Sequence, residues 1–385
     1  MSEFLSHHRR RGDMTTTEKL WQVSWSLVFV ITLIASVGFL MLYSAANGSW
    51  DPWADRQMAR FAVGMVFMLG LALVDVRQLM KWAYPVYGIV FVLLVAVEVR
   101  GEIGMGAQRW IDLGFFQLQP SELMKVSLVL ALAKYFHGAS LEEVGRPFYL
   151  VPPMLMVFAP AALVLKQPDL GTALMLIAGS GVIFFMAGVR LWKFAVVLAA
   201  GVGAVPIAWG FLRDYQKNRV LTFLNPENDP LGTGYHILQS KIALGSGGVF
   251  GKGFLQGTQS HLNFLPERQT DFIFTMMAEE FGMAGGLVLL SLYLVVLIYG
   301  FAIAVRCRHQ FGRLVAIGVT TTFFLYVFIN IAMVMGLIPV VGVPLPLISY
   351  GGTAMLTLLI AMGCLMSVHV HRDVQIGRRG GYDEP

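Results

Sequence analysis

The sequence predicts an all-α polytopic membrane protein, with about ten transmembrane helices and a long extracytoplasmic loop before the eighth. Three observations carry that prediction. Hydrophobic residues make up 56% of the 385 residues before the 41 glycines are counted, against about 45–50% with glycine included in an ordinary soluble domain. Charged residues make up only 13%, about half the usual share and too little to cover two or three soluble domains. Apolar stretches of roughly 20 residues, the length that crosses a bilayer core, recur along the chain. There is no short repeat and no polar excess, so collagen, disordered and coiled-coil classes fall away. The whole of 1–385 reads as a single integral membrane domain.

The spans fall at 23–45, 59–74, 83–98, 122–136, 150–165, 170–188, 193–212, 272–304, 314–336 and 350–370. The first follows a polar tail over 1–21 that holds His7 and His8. It is longer than the apolar part of a signal peptide, about 7–15 residues, and stays as an anchor. The stretch 149–188 is interrupted by Pro152, Pro153, Pro160 and Pro168. It divides into two helices that meet near Lys166-Gln167-Pro168-Asp169, because Pro168 would break a helix and Asp169 suits an N-cap. After the seventh span, 213–271 forms the large loop. Its Asn225-Pro226-Glu227-Asn228-Asp229-Pro230 reads as turns, and the apolar Tyr235–Leu244 as a re-entrant or interfacial helix. The ninth and tenth spans are joined by the apolar, proline-rich Pro339–Gly352, either a lipid-facing hinge or groove lip or a plain connector. A tail over 371–385 closes the chain.

Orientation follows from the cations. With the N-terminus inside, the inner side collects Arg9, Arg10, Arg11, Lys19, Arg77, Lys81, Arg146, Arg190, Arg306, Arg308 and Arg372, among others. The short outer loops collect only Arg56, Arg60, Arg100, Arg109, Lys125 and Lys166. Both termini are therefore expected in the cytoplasm and 213–271 outside. Trp50, Trp53, Trp82 and Trp192 fit interfacial belts. The net charge of +5 goes with loop anchors, and no Lys/Arg run alternates with aromatics, so a nucleic-acid partner is not expected. Cys307 and Cys364 allow at most one bridge and match no metal spacing.

Polar groups in a bilayer are costly, so their clustering points to function. Four clusters stand out, all on the expected outer side. In the first, Gly106–Gly114 leads into Gln119-Pro120-Ser121-Glu122 and Lys125. Pro120 opens a helix, and Glu122 suits its positive end. Lys125 either pairs with Glu122 at i, i+3 or serves as an anion-binding cation. In the second, Lys166–Thr172, capping by Asp169 accounts for the pattern. The third is the long loop, where Gly245-Ser246-Gly247-Gly248, Gly251-Lys252-Gly253 and Gly257-Thr258-Gln259 suit close backbone approach and anion-holding N–H nests. It is no Walker A motif, since Gly253 follows Gly-Lys. The loop runs into Glu267-Arg268-Gln269-Thr270-Asp271, with Glu279 and Glu280 two turns deeper. Asp271, at the mouth of an apolar helix, is either a base at the interface or an N-cap together with Thr270. The fourth cluster is Pro339–Gly352.

The strings GAQRWIDLG…QPSELMK, KQPDLGTA, NPENDPLGTGYHILQSKIALGSGGVFGKG, LPERQTDFIFTMMAEEFG and PLPLISYGGTAML together resemble the SEDS (shape, elongation, division, sporulation) family, in order over roughly 100–365. GSGG…GKG…GTQ and the short N-terminus resemble its RodA-like elongation branch more than its division branch. The resemblance implies a ten-helix fold in the bacterial cytoplasmic (inner) membrane. It implies a peptidoglycan glycosyltransferase that polymerises lipid II at the outer face during cell elongation. It also implies a class B penicillin-binding protein as transpeptidase partner, and an elongation complex around MreB, MreC and MreD. By motif, the family's functional aspartate falls on Asp271, its Arg-Trp pair on Arg109 and Trp110, and its lysine on Lys125. Many members carry an acid two residues before Leu265; this chain has Asn263, so no second carboxylate stands there.

The residues agree with that chemistry on their own terms. Lipid II joins a polyprenyl chain, a pyrophosphate and a disaccharide-peptide. An enzyme for it needs a lipid groove, cations or N–H nests for the pyrophosphate, and a carboxylate at the interface. Arg109, Lys125, Lys252 and Arg268 supply the cations, Asp271 the base, and Trp110, Glu122 and Glu267 further substrate contacts. An α-linked donor and a β-1,4 product call for one inverting displacement, with undecaprenyl diphosphate as leaving group. The reaction leaves open a divalent cation such as magnesium or manganese, for which the sequence names no ligands. Two other classes compete: a lipid II flippase, and a non-catalytic scaffold that recruits the transpeptidase. A flippase needs polar groups along a path across the bilayer, whereas here they gather at one end.

Overall fold

In a computed structural model of the chain, residues 14–104, 107–112, 114, 117–211, 217, 221–223, 225, 233–261 and 267–377 are described. A short helix α1 (Thr16–Gln22) carries a capping box between Thr15 and Glu18 and leads into α2 (Trp25–Ala45), α3 (Ala54–Leu73) and α4 (Val76–Arg100). After a small sheet come α5 (Pro120–Phe136), the single turn α6 (Leu141–Gly145), α7 (Val151–Lys166), α8 (Leu170–Met186) and α9 (Leu191–Phe211). The long loop holds α10 (Thr233–Ser246) and α11 (Thr258–His261). It is followed by α12 (Ile273–Arg306), α13 (Gln310–Val334) and α14 (Gly352–Val370).

Ten of these helices occupy the ten expected spans. Seven are long and apolar enough to cross a membrane by length and composition alone, and α8 and α9 are shorter apolar helices. The remaining one, α5, has 17 residues and carries Glu122, Lys125 and Lys134. Burial sorts the bundle into layers. The apolar stretches of α13 and α14 are 72% and 78% buried, whereas that of α4 is 22% buried. The last two spans are therefore the centre. The outer helices present Phe29, Val66, Ile89, Leu155, Leu198 and Leu294 outward, a surface that only lipid or another apolar helix satisfies.

Three regions differ from a purely helical reading. Between α4 and α5 the chain forms a three-stranded antiparallel sheet, in the order β1 (Glu102–Gly104), β2 (Ala107–Asp112), β3 (Gln117–Leu118). Thr353 ties it to the head of α14 by donating to the Gln117 carbonyl at 2.8 Å and accepting from the Gln119 amide at 3.3 Å. The eighth span is broken: Gly282 has φ +66° inside α12, so Ile273–Phe281 and the long remainder are two helical pieces. The glycine-rich loop docks on that break. Lys252 and Gly253 amides donate to the carbonyls of Glu279 and Glu280, and Met283 and Ala284 amides to those of Gly248 and Val249, at 2.9–3.0 Å. These bonds replace helical ones lost at the kink. A Cβ on Gly282 would lie 2.4 Å from the Gly251 amide nitrogen. Gly247 and Gly251 of this loop thus serve close backbone-to-backbone contact, against the carbonyls of Ala278 and Glu280.

Pro339–Gly352, finally, is tucked inward and not a lipid-facing lip. Its carbonyls at Val343 and Pro346 accept from Asn330 Nδ2 at 2.7 Å and the Tyr293 hydroxyl at 2.8 Å. Ser349 donates to the Thr270 carbonyl at 2.6 Å, and the Tyr350 amide to that of Gln269 at 2.8 Å. The tail residues 1–13 and 378–385, Asn228 and the rest of the predicted turns after Asn225, and Asn263 lie outside the described residues.

Candidate functional site

At the sheet end of the bundle a cavity of about 770 Å³ opens between α3, β2, α5, α8, α13, the Glu267–Asp271 turn before α12 and the Val341–Leu356 run. Arg109, Trp110, Glu122, Lys125, Glu267 and Asp271 all line it, so residues spread over more than 160 positions of sequence meet in one place. Pro120 stands at the first position of α5, which puts Glu122 and Lys125 on the first turn and a half of that helix.

Lys125 and Glu122 form a buried pair, Nζ to Oε1 2.7 Å, with side chains 3% and 5% exposed. The Tyr326 hydroxyl donates to the other oxygen of Glu122, and Lys125 stands 4.3 Å from the centroid of the Tyr326 ring. Two charges this deep need each other, since an unpaired one would be strongly destabilising. The pairing expected at i, i+3 therefore exists, and the pair still faces the cavity. Arg109, on β2, donates from Nε to the Gln167 carbonyl at 3.0 Å and from Nη2 to that of Pro168, with Nη1 3.9 Å from Asp169. Asp169 also caps α8, accepting from the amide and hydroxyl of Thr172 at 3.1 and 3.0 Å. One carboxylate thus both starts a helix and helps hold the arginine that lines the cavity.

Asp271 is half-buried at the cavity wall beside Gly342, where a Cβ would lie 3.4 Å from its Oδ2. Its carbonyl accepts from Asn330 Nδ2 at 3.0 Å. The N-cap of α12 is Phe272, with no side-chain cap. Glu267 stands nearby on the same turn, accepting from Thr270 Oγ1 at 3.1 Å and Gln269 Nε2 at 3.2 Å.

Two expected substrate contacts are not in this cavity lining. Lys252 pairs with the fully buried Glu279 at 2.7 Å and donates to Thr258 Oγ1 at 2.8 Å. Glu279 further accepts from the Gln259 amide and Thr258 Oγ1. This carboxylate needs a cation more than a ligand does, which draws Lys252 onto the loop-to-kink dock. Arg268 is 9% exposed, and burial lowers its pKa from the ordinary arginine value. Conversely, Arg56 and Arg60 of α3 line the cavity, although sequence reasoning counted them only as outer-loop charges. Their i, i+4 spacing on one helix face was the available signal. No group of three or more His, Cys, Asp or Glu among the described residues is arranged to hold a metal ion.

Residues 24–374 match the family of cell cycle proteins that groups FtsW, RodA and SpoVE. The chain is 45% identical over 353 residues to the peptidoglycan glycosyltransferase MrdB of Escherichia coli, covering 89% of this chain and 93% of that one. It is 37% identical over 356 residues to stage V sporulation protein E of Bacillus subtilis, covering 89% and 95%. Among solved structures it resembles one of a peptidoglycan synthase complex that coordinates polymerization and crosslinking, with TM-score 0.80, 35% identity and 91% and 98% of the two chains covered. It also resembles the rod shape determining protein RodA of Thermus thermophilus, with TM-score 0.69, 31% identity and 92% and 98% covered.

Proposed function

The chain belongs to the family of cell cycle proteins that includes FtsW, RodA and SpoVE, and from that premise we propose how it works as a peptidoglycan glycosyltransferase of rod-shape glycan synthesis. The observation that carries the mechanism is the single cavity in which Asp271 and Glu267 face Arg109, Trp110 and Lys125. The substrate is lipid II, bound from the outer face of the cytoplasmic membrane. The acceptor's 4-hydroxyl attacks the donor anomeric carbon opposite the diphosphate. The bond from that carbon to the diphosphate oxygen breaks with inversion, and undecaprenyl diphosphate leaves with the electron pair. Asp271 takes the hydroxyl proton.

Arg109 and Lys125 face the negative charge that grows on the departing diphosphate. Their bonds to Asp169, to the 167–168 carbonyls and to Glu122 hold both heads in place before substrate arrives, so little reorganisation is needed. Trp110 packs on a sugar or the first prenyl unit. Lys252 acts one step away, by tying the glycine-rich loop to Glu279 of α12, the helix that follows Asp271. Both termini lie in the cytoplasm. A class B penicillin-binding protein crosslinks the strands this enzyme makes, in an elongation complex with MreB, MreC and MreD.

The decisive experiment is polymerisation of purified lipid II by the pure chain in detergent, with and without the transpeptidase. Glycan strands from the wild type, and none from Asp271→Asn, are expected. Strands at a normal rate from Asp271→Asn would take Asp271 out of the mechanism and leave Glu267 as the next candidate.

A further inference from the structure

Four cations line the cavity, and they are of two kinds. Arg109 and Lys125 are already engaged by protein partners. Arg56 and Arg60 are not: among the described residues neither guanidinium has an ion pair with a carboxylate. Four of the five cavity acids are engaged elsewhere. Asp112 accepts from the Gly114 amide, Glu122 and Asp169 hold the other two cations, and Glu267 holds Thr270.

Arg60 is the more built of the two. Its guanidinium carbon lies 4.8 Å from the centroid of the Tyr350 ring, within cation–π range. A Cβ on Gly352 would stand 3.2 Å from its Cζ and its Nε, so the glycine leaves the seat in which the group rests. Gln57, buried on the same helix, donates to the Ser349 carbonyl at 2.9 Å and fixes the chain that forms this seat. Yet Nη1 of Arg60 is buried with no hydrogen-bond partner. Buried polar nitrogens are almost always satisfied. Among the described residues, no other side chain lining the cavity carries such an orphan.

We propose that Arg60, with Arg56 one turn away, forms a phosphate-binding subsite at the Tyr350 edge of the cavity, and that its ligand is the diphosphate of a polyprenyl-linked sugar. A guanidinium offers two parallel N–H groups that match phosphate oxygens. The ring on one side and the glycine seat on the other hold its plane before binding. The naming of the ligand rests on the glycosyltransferase reading; the presence of an anion subsite does not. Arg60 binds substrate without touching the bond that breaks, so its loss is felt in KM more than in kcat.

The test uses Arg60→Ala, Arg60→Lys and Gly352→Ala in the full chain, purified in detergent with the transpeptidase partner. Lipid II turnover is measured, together with its inhibition by undecaprenyl diphosphate. Arg60→Ala is expected to raise KM about 10- to 100-fold, the weight of a charge-assisted hydrogen bond, with kcat changed less than about threefold. Arg60→Lys keeps a point charge without the fork and lies between. Gly352→Ala displaces the guanidinium while leaving it present, and moves KM in the same direction, so the effect does not depend on one variant folding. A parallel loss of inhibition assigns Arg60 to the donor's diphosphate, gripped equally before and after the bond breaks. A raised KM with unchanged inhibition assigns it to the diphosphate that the acceptor keeps. Unchanged KM and unchanged inhibition in a monodisperse Arg60→Ala protein overturn the subsite. A wild type that makes no glycan, yet binds undecaprenyl diphosphate in an Arg60-dependent way, would end the glycosyltransferase reading and leave the subsite standing.

Discussion

Asp271 carries two incompatible accounts, and a single substitution separates them. Asn caps helices as well as Asp does, so Asp271→Asn should leave thermal stability nearly unchanged on either account. General-base help is worth about 10²–10⁴ in rate, so turnover should fall by that factor while lipid II binding persists. The cap position belongs to Phe272, which already weakens the capping account. The Glu122–Lys125 pair gives a second residue-scale prediction. Glu122→Gln leaves a buried ammonium without its carboxylate and should cost about 3–5 kcal/mol of stability. The double variant Glu122→Gln with Lys125→Met removes both charges and should recover most of that loss in a thermal unfolding series. It should still make no glycan. Recovered activity in the double variant would show that the pair is only structural. Asp271, Arg109 and Lys125 stood out in the sequence as members of polar clusters beside apolar spans, and the family resemblance singled them out within those clusters. Arg56 and Arg60 were passed over because a loop-charge count ignores which helix face a cation occupies.

At the scale of elements, the spans were readable because crossing a bilayer takes about 20 apolar residues whatever their partners. The sheet over 102–118 was not, since its strands are two to six residues long and are paired by tertiary contacts such as Thr353 with Gln117. The break in α12 was hidden for the same reason: Gly282 becomes special only because the 248–253 backbone lies against it. Gly282→Ala forces a side chain onto φ +66° and into the Gly251 amide. It should cost at least about 2 kcal/mol, measured as a drop in unfolding temperature, and should cut activity by shifting the head of α12. At the other end of the bundle, His309 caps α13 by accepting from the Gly312 amide at Nδ1, 2.9 Å. Burial, first of all, lowers its pKa from 6.5 to about 4. The unfolded chain therefore binds a proton that the folded chain refuses between those values. The stabilising contribution is whole above pH 6.5 and is lost as pH falls toward 4, on the order of 3 kcal/mol in all. His309→Asn keeps a cap without a titrating group. Its unfolding temperature should be less steep over that window than the wild type's, and an equal slope would remove His309 from the acid sensitivity.

The whole molecule is a buried pair of helices, α13 and α14, wrapped by lipid-facing ones, with its polar chemistry gathered at one end. Which way that end faces decides whether the enzyme works on the wall side. The first outer loop by the cation rule, with Ser49 exposed, leads directly into α3 and its cavity arginines. The turn after α5, with Glu142 exposed, lies at the opposite end beside Lys193, which donates to the Val144 and Gly145 carbonyls at 3.3 and 2.9 Å. Inner loops rich in Lys and Arg resist translocation, so Glu142 should be cytoplasmic and Ser49 outside. The two native cysteines, Cys307 and Cys364, are free and buried, and replacing both with Ala gives a background for single-cysteine labelling. In intact cells, an impermeant thiol reagent should modify Ser49→Cys and spare Glu142→Cys, and disrupted membranes should expose both. Membrane-dwelling diphosphate substrates would then meet Arg60, Arg109 and Asp271 from the outer leaflet. Labelling of Glu142→Cys alone in intact cells would turn the cavity toward the cytoplasm, where newly made strands could not reach the wall, and outer-face polymerisation would have to be given up.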